Sequence, residues 1–179
     1  SSDGLTWTRG NSGNPVFDRG MIARFDGGGV AYPSVLKDGA TYRMWYAGVI
    51  ESTSIWQIGY ATSNNGISWA RQNNSNPVLG FGKKGTYDES GLLYPRVVKD
   101  GPTYRLWYIG INLKSICYAS SSNGISWARD PNNPIMTPSH AATSRSTMPP
   151  QRDLTRPPGR YSVAASRRAT CSRFPTTYS

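Results

Sequence analysis

Val30-Ala31-Tyr32-Pro33-Ser34-Val35-Leu36-Lys37-Asp38-Gly39, followed by Thr41-Tyr42-Arg43-Met44-Trp45-Tyr46, decides the architecture because it returns 62 positions later. The second copy reads Leu92-Leu93-Tyr94-Pro95-Arg96-Val97-Val98-Lys99-Asp100-Gly101 and Thr103-Tyr104-Arg105-Leu106-Trp107-Tyr108. The same shift carries Asn14-Pro15-Val16 onto Asn76-Pro77-Val78, and Phe25-Asp26 onto Tyr87-Asp88. A further element, Ser63-Asn64-Asn65-Gly66-Ile67-Ser68-Trp69, recurs as Ser121-Ser122-Asn123-Gly124-Ile125-Ser126-Trp127 and opens the chain as Ser1-Ser2-Asp3-Gly4-Leu5-Thr6-Trp7. The second copy is four residues shorter, and the gap falls after Gly110. Indels of this kind belong in a loop between strands. A fixed period of this length is the mark of a repeat architecture.

Each copy reads as β-structure. Gly, Pro and Asn punctuate it at the spacing of short strands and tight turns. Strands are predicted at 30–36, 41–47, 57–62 and 67–71, with a turn at Asp38-Gly39, where Gly tolerates positive φ, and another at Asn65-Gly66. The aromatic-rich second strand suits a pleated, half-buried surface. Four antiparallel strands per repeat is the pattern of a propeller blade. The fold class is therefore all-β: a β-propeller with about two four-stranded blades and an irregular C-terminal tail. Blade one spans about 14–71 and blade two about 76–129. The chain opens on the last turn and strand of a blade whose beginning is missing. A third blade is announced by Asn133-Pro134-Ile135, and then the pattern stops.

The domain reading is thus 1–136, partial propeller, and 137–179, basic tail. The tail holds seven Arg, no Lys, no Trp, a single acid (Asp153), the only His (His140) and Cys171. It carries +6 of the chain's net +10, leaving the blades at +4. A basic tail suits nucleic acid or an anionic surface; it equally suits a segment too polar to fold, or an unnatural continuation such as an out-of-frame translation. Aromatics are not interleaved with the arginines as single-strand binders need, so no nucleic-acid partner is expected. No apolar run is long enough for a membrane-spanning helix, and no signal peptide is visible. Cys117 and Cys171 are compatible with a bridge that no spacing supports, and a metal site needs more ligands than this chain offers.

These repeats resemble the blades of the five-bladed β-propeller glycoside hydrolases. The resemblance rests on Asn-Pro-Val, Phe-Asp, Tyr-Pro-Ser-Val, Lys-Asp-Gly, Tyr-Arg-Met-Trp-Tyr, Gly-Tyr-Ala-Thr-Ser and Asn-Gly-Ile-Ser-Trp, and covers about residues 1–136. That superfamily includes arabinanases, xylosidases, levansucrases and invertases, and the related mannoside phosphorylases. The likeness is closest to family 43-like bacterial repeat proteins, many without known activity. Residues 1–7 also resemble the Asp-box of sialidases, with one residue fewer between Asp and Gly. The resemblance implies a carbohydrate ligand, no cofactor, hydrolysis of glycosidic bonds in an intact parent, and an extracellular or periplasmic location. A non-catalytic carbohydrate- or protein-binding propeller, or an inactive truncated product, stands as the alternative.

Glycoside hydrolysis uses two carboxyl groups flanking the scissile bond, and the family draws them from the starts of the innermost strands. Here those acids are Asp26, its repeat mate Asp88, and Glu89. Glu89 replaces Gly27 of the first copy and is the candidate acid. An Asp recurring in each blade serves equally as a turn-maker. The family's Asp-Pro strand start is absent, since Tyr precedes both Pro33 and Pro95. Arg96 replaces Ser34 and is the candidate for holding a sugar hydroxyl or an anion, or for a salt bridge between blades. Tyr32 and Tyr94 are candidates for stacking on a sugar ring or for filling a channel. Trp45, Trp69, Trp107 and Trp127 read as packing between sheets. A two-blade piece leaves two flanks open and is expected to self-associate through them.

Overall fold

The computed structural model describes residues 1–112 and 114–138. Blade 1 is a sheet of β1 (Gly29–Asp38), β2 (Thr41–Val49), β3 (Trp56–Ser63) and β4 (Ala70–Arg71). Blade 2 repeats it with β5 (Leu92–Asp100), β6 (Thr103–Gly110), β7 (Ser115–Ser121) and β8 (Ala128–Arg129). Each is an antiparallel meander with strands in sequence order, as expected. The proposed tail and Cys171 lie outside the described residues, apart from residues 137 and 138.

Three strands per blade fall where periodicity put them, and the fourth is shorter. Residues 67–69 belong to a side-chain-built turn rather than to β4. The Asn65 side-chain oxygen accepts from Ile67 N (2.9 Å) and Ser68 N (2.8 Å), and Trp69 Nε1 donates to Gly66 O (3.0 Å). Asn123 and Trp127 repeat this, as do Asp3 and Trp7. Local side-chain bonding here competes successfully with the ladder. The shortening after Gly110 falls in the β6–β7 loop, opposite the longer 50–55 loop.

β1 and β5 are each broken by a bulge: the register shifts between Ala31 and Ser34, and again between Leu93 and Arg96. Pro33 and Pro95 sit inside these breaks, and a proline that cannot donate to a ladder is tolerated at a bulge on an edge strand.

The main core lies between the blades. Trp45, Ile58 and Tyr60 from blade 1 pack on Leu92, Tyr104, Leu106 and Tyr108 from blade 2. Trp45 Nε1 donates to Gly124 O of blade 2 (2.8 Å), and any Cβ at Gly124 would lie 2.8 Å from the Trp45 ring. Ser34 Oγ accepts from Val97 N (2.9 Å). Asp38 receives Lys99 Nζ and the Tyr104 hydroxyl, both at 2.6 Å. The expectation of tryptophan packing is met fully by Trp45. Trp107, its mate, is only half-buried, because no described blade lies against it.

Candidate functional site

The bulges turn two tyrosines to one place. Tyr32 has φ of 53° and Tyr94 of 55°. A non-glycine residue in this left-handed region carries roughly 1–3 kcal/mol of strain. The rings meet with centroids 4.1 Å apart, and Trp56, at the start of β3, lies 6.2 Å from Tyr32. Both tyrosines remain exposed, at 37% and 40%. The hydrogen bond and charge of Tyr94 push the Tyr32 phenol above its ordinary pKa. Arg96, two residues beyond Tyr94, is exposed, donates to Pro95 O (3.0 Å) and forms no salt bridge among the described residues. It shares a shallow recess with Tyr94 and Trp107. The structure therefore brings Tyr32, Tyr94 and Arg96 to neighbouring positions on the inner strands.

The aspartates lie elsewhere, inside the blades. Asp26 is fully buried and Asp88 is 3% exposed. Asp26 Oδ2 accepts from the Tyr46 hydroxyl (3.0 Å) and from Arg71 Nε (2.7 Å), and Arg71 continues to Asp18 O. Asp88 Oδ2 accepts from the Tyr108 hydroxyl (3.0 Å) and Arg129 Nε (2.8 Å), and Arg129 continues to Gly80 O. Each trio clasps the segment before the inner strand to the second strand and the short fourth strand. Burial, reinforced by the carboxylate's charge, raises the phenol pKa of both Tyr46 and Tyr108. For Arg129 burial is the largest single influence and lowers the pKa, but the hydrogen bond it donates to Asp88, together with the charge of Asp88 and the neighbouring Tyr108, raises it overall. Both carboxylates are shut away from solvent, although Asp26 Oδ1 has no partner, so a catalytic part for Asp26 or Asp88 requires the clasp to open.

Glu89, by contrast, is only partly buried. It accepts from Gly85 N and from Asn112 Nδ2 (3.0 Å), bracing the β6–β7 loop, and borders an open recess with Phe81, Lys84 and Ser90.

No family model matches the chain. Two uncharacterized proteins of Mycobacterium tuberculosis, from strains H37Rv and CDC 1551, are each 34% identical over 106 residues, which is 55% of this chain and 33% of theirs. The chain thus spans one third of the length of these curated relatives. Among solved structures, a glycosyl hydrolase from Bacteroides ovatus superposes with a TM-score of 0.60 at 20% identity, covering 69% of this chain and 40% of that one. A second, at TM-score 0.58 and 19% identity over 68% of this chain and 40% of its own, represents the GH130 family of mannoside phosphorylases, which contains glycoside hydrolases that target β-1,2 mannosidic linkages in Candida mannan. The two blades share a β-propeller fold with these structures. In that fold β1 and β5 are neighbouring inner strands, and the Tyr32–Tyr94 shelf stands at their bulged starts.

Two features escaped the sequence reading. Trp56 has no aromatic mate, since Lys114 stands opposite it across the indel, and an unpaired Trp at the length difference was the available signal. Arg71 and Arg129 also went unnoticed as partners of the aspartates. They repeat at a spacing of 58 while the aspartates repeat at 62, so the shared register hides the pairing.

Proposed function

We propose that these blades contact a glycan through Tyr32 and Tyr94, with Arg96 at the edge of the contact. The observation that carries this reading is the ring pair held at two strained, left-handed bulges yet left open to solvent. Strain of this kind tends to accumulate where function requires a fixed geometry. Tyrosine presents an apolar face to sugar C–H groups and a hydroxyl to their oxygens. Arg96 has free donor capacity for a hydroxyl or an anionic substituent.

Hydrolysis of glycosidic bonds by the whole, longer protein is the second reading, favoured by the likeness of fold to glycoside hydrolases. In it Glu89, the acid with partial exposure, serves at the substrate. Asp26 and Asp88 take part only if their clasps open, and otherwise hold the inner strands in position.

Calorimetric titration with β-1,2-linked manno-oligosaccharides, then arabino- and xylo-oligosaccharides, tests the first reading. Tyr32→Ala and Tyr94→Ala should each weaken binding by about tenfold, the loss of one aromatic contact of about 1.4 kcal/mol. Binding that survives the double substitution would reject the shelf. Turnover of nitrophenyl glycosides by the whole protein, lost in Glu89→Gln while oligosaccharide binding persists, would establish the second reading; turnover unchanged in that variant would remove Glu89 from it.

A further inference from the structure

The corner before each inner strand has one backbone and two chemistries. In blade 1, Gly20 N donates to Asp26 O and Gly27 N to Arg24 O, both at 3.0 Å. In blade 2, Gly82 N donates to Asp88 O (2.9 Å) and Glu89 N to Thr86 O (3.3 Å). On this shared frame the side chains part company. Blade 1 closes its corner with charge: Arg19 reaches across to Gly27 O (3.4 Å) and to Glu51 (3.5 Å). Blade 2 has Phe81 in place of Arg19, Lys84 in place of Ile22, Glu89 in place of Gly27 and Ser90 in place of Gly28. Phenylalanine makes neither of the arginine's bonds, and these four residues line an open recess of about 380 Å³. The corner lies open beside either neighbour. The Arg19 side chain, with blade 2 following, is 53% exposed, and Phe81, with blade 1 preceding, is 51% exposed.

Within the recess Glu89 is fixed at both oxygens. Oε2 accepts from Gly85 N, and Oε1 accepts from Asn112 Nδ2 (3.0 Å), a residue that stands where blade 1 has Ile50. An ionised carboxylate has about four acceptor sites, so half of them stay open, aimed by the bonds already made. A side chain held in this way loses little freedom when a ligand arrives. We propose that the recess binds one uncharged pyranose unit of a glycan, separately from the tyrosine shelf. The C–H face of the sugar lies on the Phe81 ring, neighbouring hydroxyls donate to Glu89, and Lys84 and Ser90 donate to sugar oxygens. An aromatic floor with a few fixed polar groups at its rim is the usual build of a small-ligand site. An anionic sugar would set like charges together at Glu89. The assignment rests on the reading that these blades meet a glycan, and it holds whether or not Glu89 also takes part in hydrolysis.

Calorimetric titration of the whole chain with β-1,2-linked manno-oligosaccharides, arabino-oligosaccharides and xylo-oligosaccharides tests this. Phe81→Ala should weaken binding by about tenfold, the loss of one aromatic contact, whereas Phe81→Tyr should keep it. Phe81→Arg, which restores the residue of blade 1 opposite Glu89, should abolish it. The position is exposed, so all three variants should keep the urea midpoint of the wild type. Oligogalacturonates should bind at least about tenfold more weakly than the neutral sugars, and tighter binding would overturn the choice of an uncharged unit. Affinity unchanged in Phe81→Ala and Phe81→Arg, but lost when Tyr32 and Tyr94 are both replaced by Ala, would overturn the recess and leave the shelf standing. The opposite pattern would keep the recess and remove the shelf. A wild-type chain that binds none of these sugars would overturn both.

Discussion

Asp26 and Asp88 sit in matching clasps, yet only one of them has both carboxylate oxygens served. Thr86 Oγ lies 3.0 Å from Asp88 Oδ1 and 2.7 Å from Lys83 O. In blade 1 the equivalent position is Arg24, whose guanidinium turns outward to Asn74 O, and Asp26 Oδ1 is buried without a partner. The local backbone is the same, since Arg24 N bonds Met21 O as Thr86 N bonds Lys83 O, each at 3.0 Å. Arg24→Thr therefore brings a hydroxyl to the orphan oxygen. It should stabilise the fold by about 1 kcal/mol, the usual worth of one satisfied hydrogen bond, read as a higher urea midpoint at unchanged slope. Urea denaturation with no gain would mean that the oxygen is already satisfied by solvent. The aspartates were legible in the sequence because they repeat in register with their strands. Their burial was not, because it depends on an arginine some forty residues away reaching back across the sheet.

At the scale of the strand, the two blades solve one packing problem with different residues. β3 carries Gly59 where β7 carries Cys117, and the loops before the inner strands carry Phe25 and Tyr87. A Cβ at Gly59 would lie 2.5 Å from both the Phe25 and Tyr46 rings, and Tyr46 is fixed by its bond to Asp26. Gly59→Ala should thus cost about 1–3 kcal/mol by overpacking, measurable as a lowered urea midpoint; a neutral result would mean that the Phe25 ring moves aside freely. Burial of the strands follows their neighbours as well as their sequences. In β6 buried and half-buried positions alternate, whereas β2 is buried continuously from Met44 to Gly48, because blade 2 covers one face and Phe17, Phe25 and Trp69 the other. Strand positions could be read from aromatics and turn residues. The truncation of β4 could not, because Asn65 gains more from three local hydrogen bonds than periodicity reveals.

At the scale of the molecule, the joint between the blades combines an apolar body with one charged clasp at its rim, and pH separates the two. Asp38 is held at about 2, well below its ordinary 3.8, first by the hydrogen bond from Lys99 and then by that from Tyr104. A carboxyl depressed in the folded state lends stability that is complete above the unfolded value and lost as pH falls through the folded one. The joint should therefore weaken between about pH 4 and pH 2. Other acids titrate in the same window, so the decisive quantity is the difference between the wild type and Asp38→Asn. The variant, less stable near neutrality, should converge on the wild type as pH approaches 2, when followed by urea unfolding monitored through tryptophan fluorescence. Parallel curves across that range would mean that the two blades are held by Trp45, Leu106 and their neighbours alone, with the Asp38–Lys99 bridge contributing nothing to their union.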